Sequence, residues 1–219
     1  MKIMQSRCLG LVGVAMLAGL IGSGCATNRG ILDVRIDVPQ DPAAGKAVRI
    51  EQVRDKRVFE VAPREASIPS LKGAEINDQA ITSRAIARKR NGYGKAIGDI
   101  LLPEGRTVED LVREALTKSF REAGYRVVAG DAKADKAVSI EADIEQFWAW
   151  FTPGFWAVSL EFEAKVAIKG NVKAFKEGKT VRGYVQLHSQ AAVTGAWLNT
   201  LNKGLENFTA EVKGELAKE

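Results

Sequence analysis

The 219-residue chain is short of the side chains on which most metal and thiol chemistry depends, with two cysteines, one histidine and three methionines. That supply excludes an iron–sulfur cluster and a structural zinc site built from several Cys and His ligands. With six prolines, 46% hydrophobic and 27% charged residues, the chain is neither collagen-like nor disordered. No apolar run reaches the roughly 20 residues that a spanning helix requires, which rules out a multi-pass membrane protein. What remains is the composition of an ordinary folded protein.

Catalytic constellations are equally scarce. The one histidine, His188, falls on the polar face of a predicted strand. Glu141, Asp143 and Glu145 alternate along one strand face in the manner of solvated residues and make no glycosidase-like pair. The Gly-rich NGYGKAIG has glycines at 92, 94 and 98, which is not G-x-G-x-x-G spacing. EGKT at 177–180 has Lys173 where a P-loop needs its first glycine, and it lies in a predicted hairpin. The expectation is therefore no enzyme, no catalytic residue, no metal site and no cofactor.

The N-terminus carries an address. Lys2 and Arg7 precede a run of about 14 residues from Cys8 to Ile21, which fits the apolar core of an export signal over residues 1–24. Gly22, Ser23 and Gly24 then lead to Cys25, a pattern that resembles the lipobox of bacterial lipoproteins, in which the Cys becomes the acylated first residue. The lipobox favours Leu three places before the Cys, whereas this chain has Gly22 there and Ile21 one place earlier. A plain secretory signal and an uncleaved anchor are the alternatives. Two or more acyl chains on Cys25 would give lasting attachment where one does not. Ala26, by resemblance to enterobacterial sorting rules, implies delivery to the outer membrane. Cleavage leaves 195 residues, one cysteine and therefore no internal disulfide, and lowers the formal charge from +5 to +3. A balance that mild does not indicate a nucleic-acid partner.

Residues 25–45 read as the acylated Cys and a flexible linker, broken by Pro39, Pro42 and Gly45, with a short extended piece at 31–38. About twenty such residues could reach on the order of 70 Å, which lets the body work away from its anchor. Residues 46–219 read as a single α+β domain. Val48, Ile50 and Val53 mark a first strand. Residues 63–106 show no sustained pattern and are expected to form a long flap. Thr107 opens the clearest helix as N-cap with Asp110 as its capping-box partner, and Val108, Leu111, Val112, Ala115, Leu116 and Phe120 form one stripe. Gly124 stops it. A strand is predicted at 125–128, then three alternating strands centred on Val138–Ile144, Val158–Ile168 and Val181–Leu187, then an amphipathic C-terminal helix from Ala196. The expected fold is α+β, a mostly antiparallel sheet of about five strands with two helices packed on one face.

Two features stand out as contact surfaces. Arg84, Arg88, Lys89, Arg90 and Lys95 surround Asn91-Gly92-Tyr93-Gly94, five cations with the aromatic Tyr93 on an expected exposed loop suited to gripping phosphates or carboxylates. A merely solvated loop is the other reading. The segment Phe147–Trp156 holds six of the fifteen aromatic residues, including Trp148, Trp150, Phe151, Phe155 and Trp156, around a Pro153-Gly154 turn. Faithful alternation cannot point all of them into one core, so some are expected to be exposed or covered by the flap, a partner or a membrane interface.

The lipobox Cys25, the first strand VRIEQVRDKR with Asp55 and Arg57, the helix TVEDLVREALTKSFREAGYRV ending at Gly124-Tyr125, and the strand pair from Val138 to Ile168 together resemble the YajG-type family of uncharacterised bacterial lipoproteins. The resemblance extends over nearly the whole chain; RKRNGYGK and the aromatic hairpin look like elaborations on shorter members. It implies an outer-membrane lipoprotein without assigned enzyme activity, and it transfers no site residue beyond Cys25. The functional expectation is a non-enzymatic outer-membrane lipoprotein facing the periplasm, an accessory or adaptor in envelope assembly or maintenance, joined to the membrane by its lipid and to an envelope protein partner. The alternative is a periplasmic carrier of a lipid or other amphiphile.

Overall fold

The computed structural model describes residues 29–91, 93–128, 137–154 and 157–218. In chain order the strands are β1 (Gly30–Ile31), β2 (Ala47–Asp55), β3 (Ala85–Arg90), β4 (Ala96–Leu101), β5 (Arg126–Val128), β6 (Val138–Thr152), β7 (Val158–Gly170) and β8 (Lys179–Ser189). The helices are α1 (Gln79–Thr82), α2 (Val108–Glu122) and α3 (Thr194–Leu216), with 3₁₀ turns at Gly73–Asn77 and Lys173–Phe175.

The fold is α+β, but the expected five-stranded, mostly antiparallel sheet is incorrect. The eight strands form one mixed sheet curled into a half-barrel, and four of its seven pairings are parallel: β1–β4, β2–β5, β2–β6 and β3–β6. Only β3–β4, β6–β7 and β7–β8 are antiparallel. The cause is the long strand β6. One of its edges pairs with β7 throughout, while the other pairs first with β2 (Val48↔Val138 to Asp55↔Ile144) and then with β3 (Ala87↔Ala149). Two strands distant in sequence thus share one edge.

The proposed flap at 63–106 holds β3, β4, α1 and a 3₁₀ turn. Its strands escape a periodicity reading because Ala85, Ile86, Ala87 and Arg88 are all buried, so no face alternates with solvent. The proposed linker is likewise packed in its described part. Leu32 and Val34 are buried, the Leu32 amide donates to the Leu101 carbonyl at 2.9 Å, and Arg106 and Arg121 on the α2 side donate to the carbonyls of Val34 and Pro39. Alternation of Leu32 and Val34 with charged neighbours is what ties this segment down.

Helix α2 starts as its residues dictate: the Thr107 hydroxyl accepts from the Asp110 amide at 3.1 Å and the Asp110 carboxylate accepts from the Thr107 amide at 2.8 Å. Its buried stripe and that of α3 pack on the sheet around Phe147, Phe162, Phe208 and Trp197. Gly183 and Gly204 permit this close approach, since a Cβ would meet Phe208 at 2.4 Å and Phe162 at 2.1 Å, respectively.

A second, smaller core lies on the other face. Leu71, Ala85, Leu101, Trp148 and Trp150 form it, with Phe59, Ala66, Ile76 and Ile81 packed against them. A register shift between Ile144 and Gln146 separates the two sets: Ile140, Ala142 and Ile144 face the helices before it, Phe147 and Ala149 after it, and Trp148 and Trp150 turn to the small core.

Candidate functional site

The site is built from the ends of elements. Strand β3 runs parallel to β6 and turns back as β4, so the β3–β4 turn lies beyond Ala149, at the end of the sheet where β6 passes to β7 and where β8 leads into α3. Asn91 shapes the turn. Its side-chain oxygen accepts from the amides of Tyr93 and Lys95, both at 3.0 Å, and Gly94 takes the left-handed conformation at φ 78°. Strand β1 is parallel to β4, so the chain enters it from the side of this turn.

The structure divides the basic cluster. Arg84 donates from Nε and Nη2 to the Leu102 carbonyl at 3.0 and 2.9 Å and serves as a clasp at the far end of the hairpin. Arg88 is buried and pairs with the buried Asp99 at 2.7 Å; Asp99 also takes Arg29 at 3.1 Å, which ties the entry of β1 to the hairpin. Neither arginine is available to a ligand as a free cation. Lys89, Arg90, Tyr93 and Lys95 stay together at the tip. Arg90 donates to the Gly94 carbonyl at 3.0 Å and reaches Ser70 Oγ at 3.4 Å, and burial, with the nearby charge of Arg88, lowers its pKa from the usual guanidinium value. Tyr93 is 97% exposed. Lys95 is exposed.

The aromatic segment divides as well. Trp148 is fully buried, with its Nε1 donating to the Ala66 carbonyl at 3.3 Å and its ring edge-on to Phe59 at 5.9 Å. Trp150 is buried beside Tyr184. The segment 59–81 covers both, so they are core and not contact residues. Phe151 is half-buried and faces the tip. Phe155 and Trp156 lie outside the described residues, as do Cys25 and the expected signal sequence at 1–24.

Beside the tip the structure opens a cavity of about 350 Å³ lined by Ile31, Ile97, Ile100, Phe151, Val193 and Trp197, with Lys89 and Arg90 also on its wall. Ile31, Ile97 and Val193 are 54%, 48% and 59% exposed. Sequence reasoning missed these three. Their signal was an apolar residue in an isolated position: Ile97 two places after Lys95, Val193 just before α3, and Ile31 at the start of an extended piece.

A larger depression of about 510 Å³ lies over β6, β7 and β8. Arg54 spans its wall and pairs with Glu141 at 2.7 Å and with Asp143, and these partners raise the Arg54 pKa. The one cation is taken up by two carboxylates of the same wall, which leaves the cluster without a free positive charge. Among the described residues no three His, Cys, Asp or Glu side chains converge on a metal position, and no helix is long and apolar enough to cross a membrane. His188 is exposed, with Nδ1 3.1 Å from Ser159 Oγ.

No protein-family model and no curated protein matches the chain. Among solved structures, an uncharacterised protein aligns with 84% of this chain and 99% of its own at 11% identity and a TM-score of 0.42. A Xanthomonas campestris protein of the DUF330 family aligns with 84% and 92% of the two chains at 13% identity and a TM-score of 0.45. A neuraminyllactose-binding hemagglutinin homologue from Helicobacter pylori aligns with 84% and 91% at 9% identity and a TM-score of 0.30. The chain is similar to uncharacterised bacterial proteins, and likeness at this level carries nothing about activity.

Proposed function

We propose that the protein is a non-enzymatic outer-membrane lipoprotein of YajG type, held by an acylated Cys25, facing the periplasm, and acting as an accessory or adaptor in envelope assembly or maintenance. One observation supports this reading above the others. The described fold begins at Arg29, four residues after Cys25, on the side of the molecule where the exposed tip gathers apolar and basic residues. Four peptide units reach about 14 Å at most, so a lipid on Cys25 would hold that end close to the bilayer. This replaces the roughly 70 Å reach that a free linker would have given. The protein partner would meet the body at the membrane.

The test is Cys25→Ala, followed by metabolic labelling with palmitate and membrane fractionation. Loss of label and release from the membrane fraction are expected. Label incorporation equal to that of the unaltered chain would sink the reading.

The 350 Å³ apolar cavity favours a second reading, a carrier of an amphiphile whose anionic group meets Lys89 and Arg90. Native mass spectrometry of the protein released gently from membranes separates the two. A carrier retains ligand mass, whereas an adaptor shows the acylated chain alone.

A further inference from the structure

Among the described residues six large hydrophobic side chains are exposed; Tyr93, Ile97 and Val193 stand at the hairpin-tip end, and Ile31, paired with Leu101 toward the base of the hairpin, lines the cavity beside it. Ile31, Ile97 and Val193 surround one cavity together with Lys89 and Arg90, and Tyr93 and Lys95 crown the turn above it. No carboxylate among the described residues pairs with Arg90 or Lys95, while Arg88 and Arg29 are held by Asp99. Apolar side chains ringed by cations, with a tyrosine at the rim, match the boundary between acyl chains and anionic headgroups. The opposite end differs: at the β7–β8 turn Lys176, Glu177 and Lys179 are exposed with no large apolar neighbour exposed beside them.

We infer that this end is a lipid-docking face: Tyr93, Ile97 and Val193 enter the interfacial layer of a bilayer while Lys89, Arg90 and Lys95 contact its anionic phospholipid headgroups. The inference rests on the Cys25 anchor, because the short stretch from Cys25 to Arg29 brings this end, and not the β7–β8 turn, to the surface. The occupant is the bilayer and not a protein because the charges around the apolar side chains are of one sign, Lys89, Arg90 and Lys95 with no carboxylate lining the cavity, as an anionic headgroup layer requires. Lysine and arginine stems lie along apolar surface and deliver their charge to the phosphate level.

The test uses the full lipidated protein, purified from membranes and reconstituted into vesicles of phosphatidylethanolamine with phosphatidylglycerol. Once Cys8 is removed and Cys25 acylated, an introduced cysteine is the one free thiol. An environment-sensitive fluorophore is placed at Tyr93→Cys and, in a second sample, at Glu177→Cys. The label at 93 is expected to shift to the blue and to be quenched by lipid-borne quenchers, while the label at 177 stays in water. Lys95→Gln lowers the docked fraction at 93 about five-fold, and replacing phosphatidylglycerol with phosphatidylcholine does at least as much. Vesicle flotation with both labels equally in water overturns the docking face and leaves the anchor standing. Failure to float with the vesicles overturns the anchor and the docking face with it. A label at 93 that is shielded in cells but wet on vesicles assigns the end to a protein and also overturns the proposal.

Discussion

The guanidinium of Arg57 grips the carboxylate of Asp55 in a two-pronged ion pair, Nε and Nη2 lying 2.8 and 2.6 Å from its two oxygens. The same group donates to the carbonyls of Thr82, Ala85 and Phe147 at 2.8, 2.6 and 3.0 Å and lies 5.0 Å over the Phe59 ring. Its side chain is wholly buried. It therefore joins the end of β2, the start of β3 and the middle of β6 at the place where β6 changes partner. An arginine suits the position because a rigid fork serves a carboxylate and several carbonyls at once.

Arg57→Ala strands the carboxylate and three carbonyls, and a loss of about 3–5 kcal/mol is expected. Arg57→Lys does not restore it, since one ammonium cannot span four acceptors. Urea denaturation followed by circular dichroism checks both variants; a shift in Arg57→Ala within error of the parent would refute the clasp.

Asp99 holds two arginines, one of them buried. Asp99→Ala leaves Arg88 without its partner in the interior and is expected to cost about 3–5 kcal/mol, and to loosen the entry of β1 through Arg29. Combining it with Arg88→Met recovers much of the loss, because an apolar pair of similar size replaces a buried ion pair at little cost. Thermal melts of the single and double variants form the test.

The two cores are expected to open separately. Leu71→Ala and Leu111→Ala each remove a fully buried side chain, with an expected cost of about 2–5 kcal/mol. Hydrogen exchange distinguishes them: Leu71→Ala speeds exchange across 59–81 and spares α2, while Leu111→Ala speeds it throughout. Equal acceleration everywhere in both variants would show a single cooperative unit.

Tyr184 donates to Glu161 at 2.6 Å, and burial, followed by that hydrogen bond, pushes its pKa up from 10.0 to about 12. The neutral phenol is favoured in the folded state. Its stabilising share is complete below pH 10 and is lost as pH rises through about 12. Tyr184→Phe should flatten the fall of stability across that window and remove one phenolate absorbance step near its upper end.

Gly204→Ala places a methyl group against the Phe162 ring, on a helix whose buried face also carries Leu201, Leu205 and Phe208. Alanine would ordinarily strengthen a helix interior by about 1 kcal/mol. Here overpacking wins, with an expected net loss of about 1–3 kcal/mol in chemical denaturation.

Helix α2 was legible because cap, stripe and stop agree at Thr107, Leu111 and Gly124, and β7 because its alternation reports one wet face. The parallel pairings were not. Strands β1 and β5 have two and three residues, too few to show a period, and β3 is buried on both sides. The basic cluster was legible as composition but not as geometry: Arg88 lies within β3 opposite Asp99 of β4, and Arg84 lies just before β3 opposite Leu102 just after β4, whereas Lys95 lies in the turn between them. The aromatic run was read against one core, and the second core under Leu71 is what accommodates Trp148 and Trp150.

The register shift beside Glu145 has a genetic consequence. The residues of β6 that face the helices are even-numbered up to Ile144 and odd-numbered from Phe147, and Glu145, skipped in the pairing with β7, is the extra residue that makes the change. A residue inserted between Gln146 and Phe147 with the bulge kept would send Phe147 and Ala149 to the small core and Trp148 and Trp150 beneath the helices, whereas an in-frame loss of the single codon for Glu145 would remove only the bulge, leaving Ile144, Gln146 and Phe147 in plain alternation and both cores as they are. The same loss in the turn at 171–178 would shorten a loop. The bulge is thus a point where β6 can lose a residue and keep both cores facing as they do, while an added residue there counts for more than most substitutions.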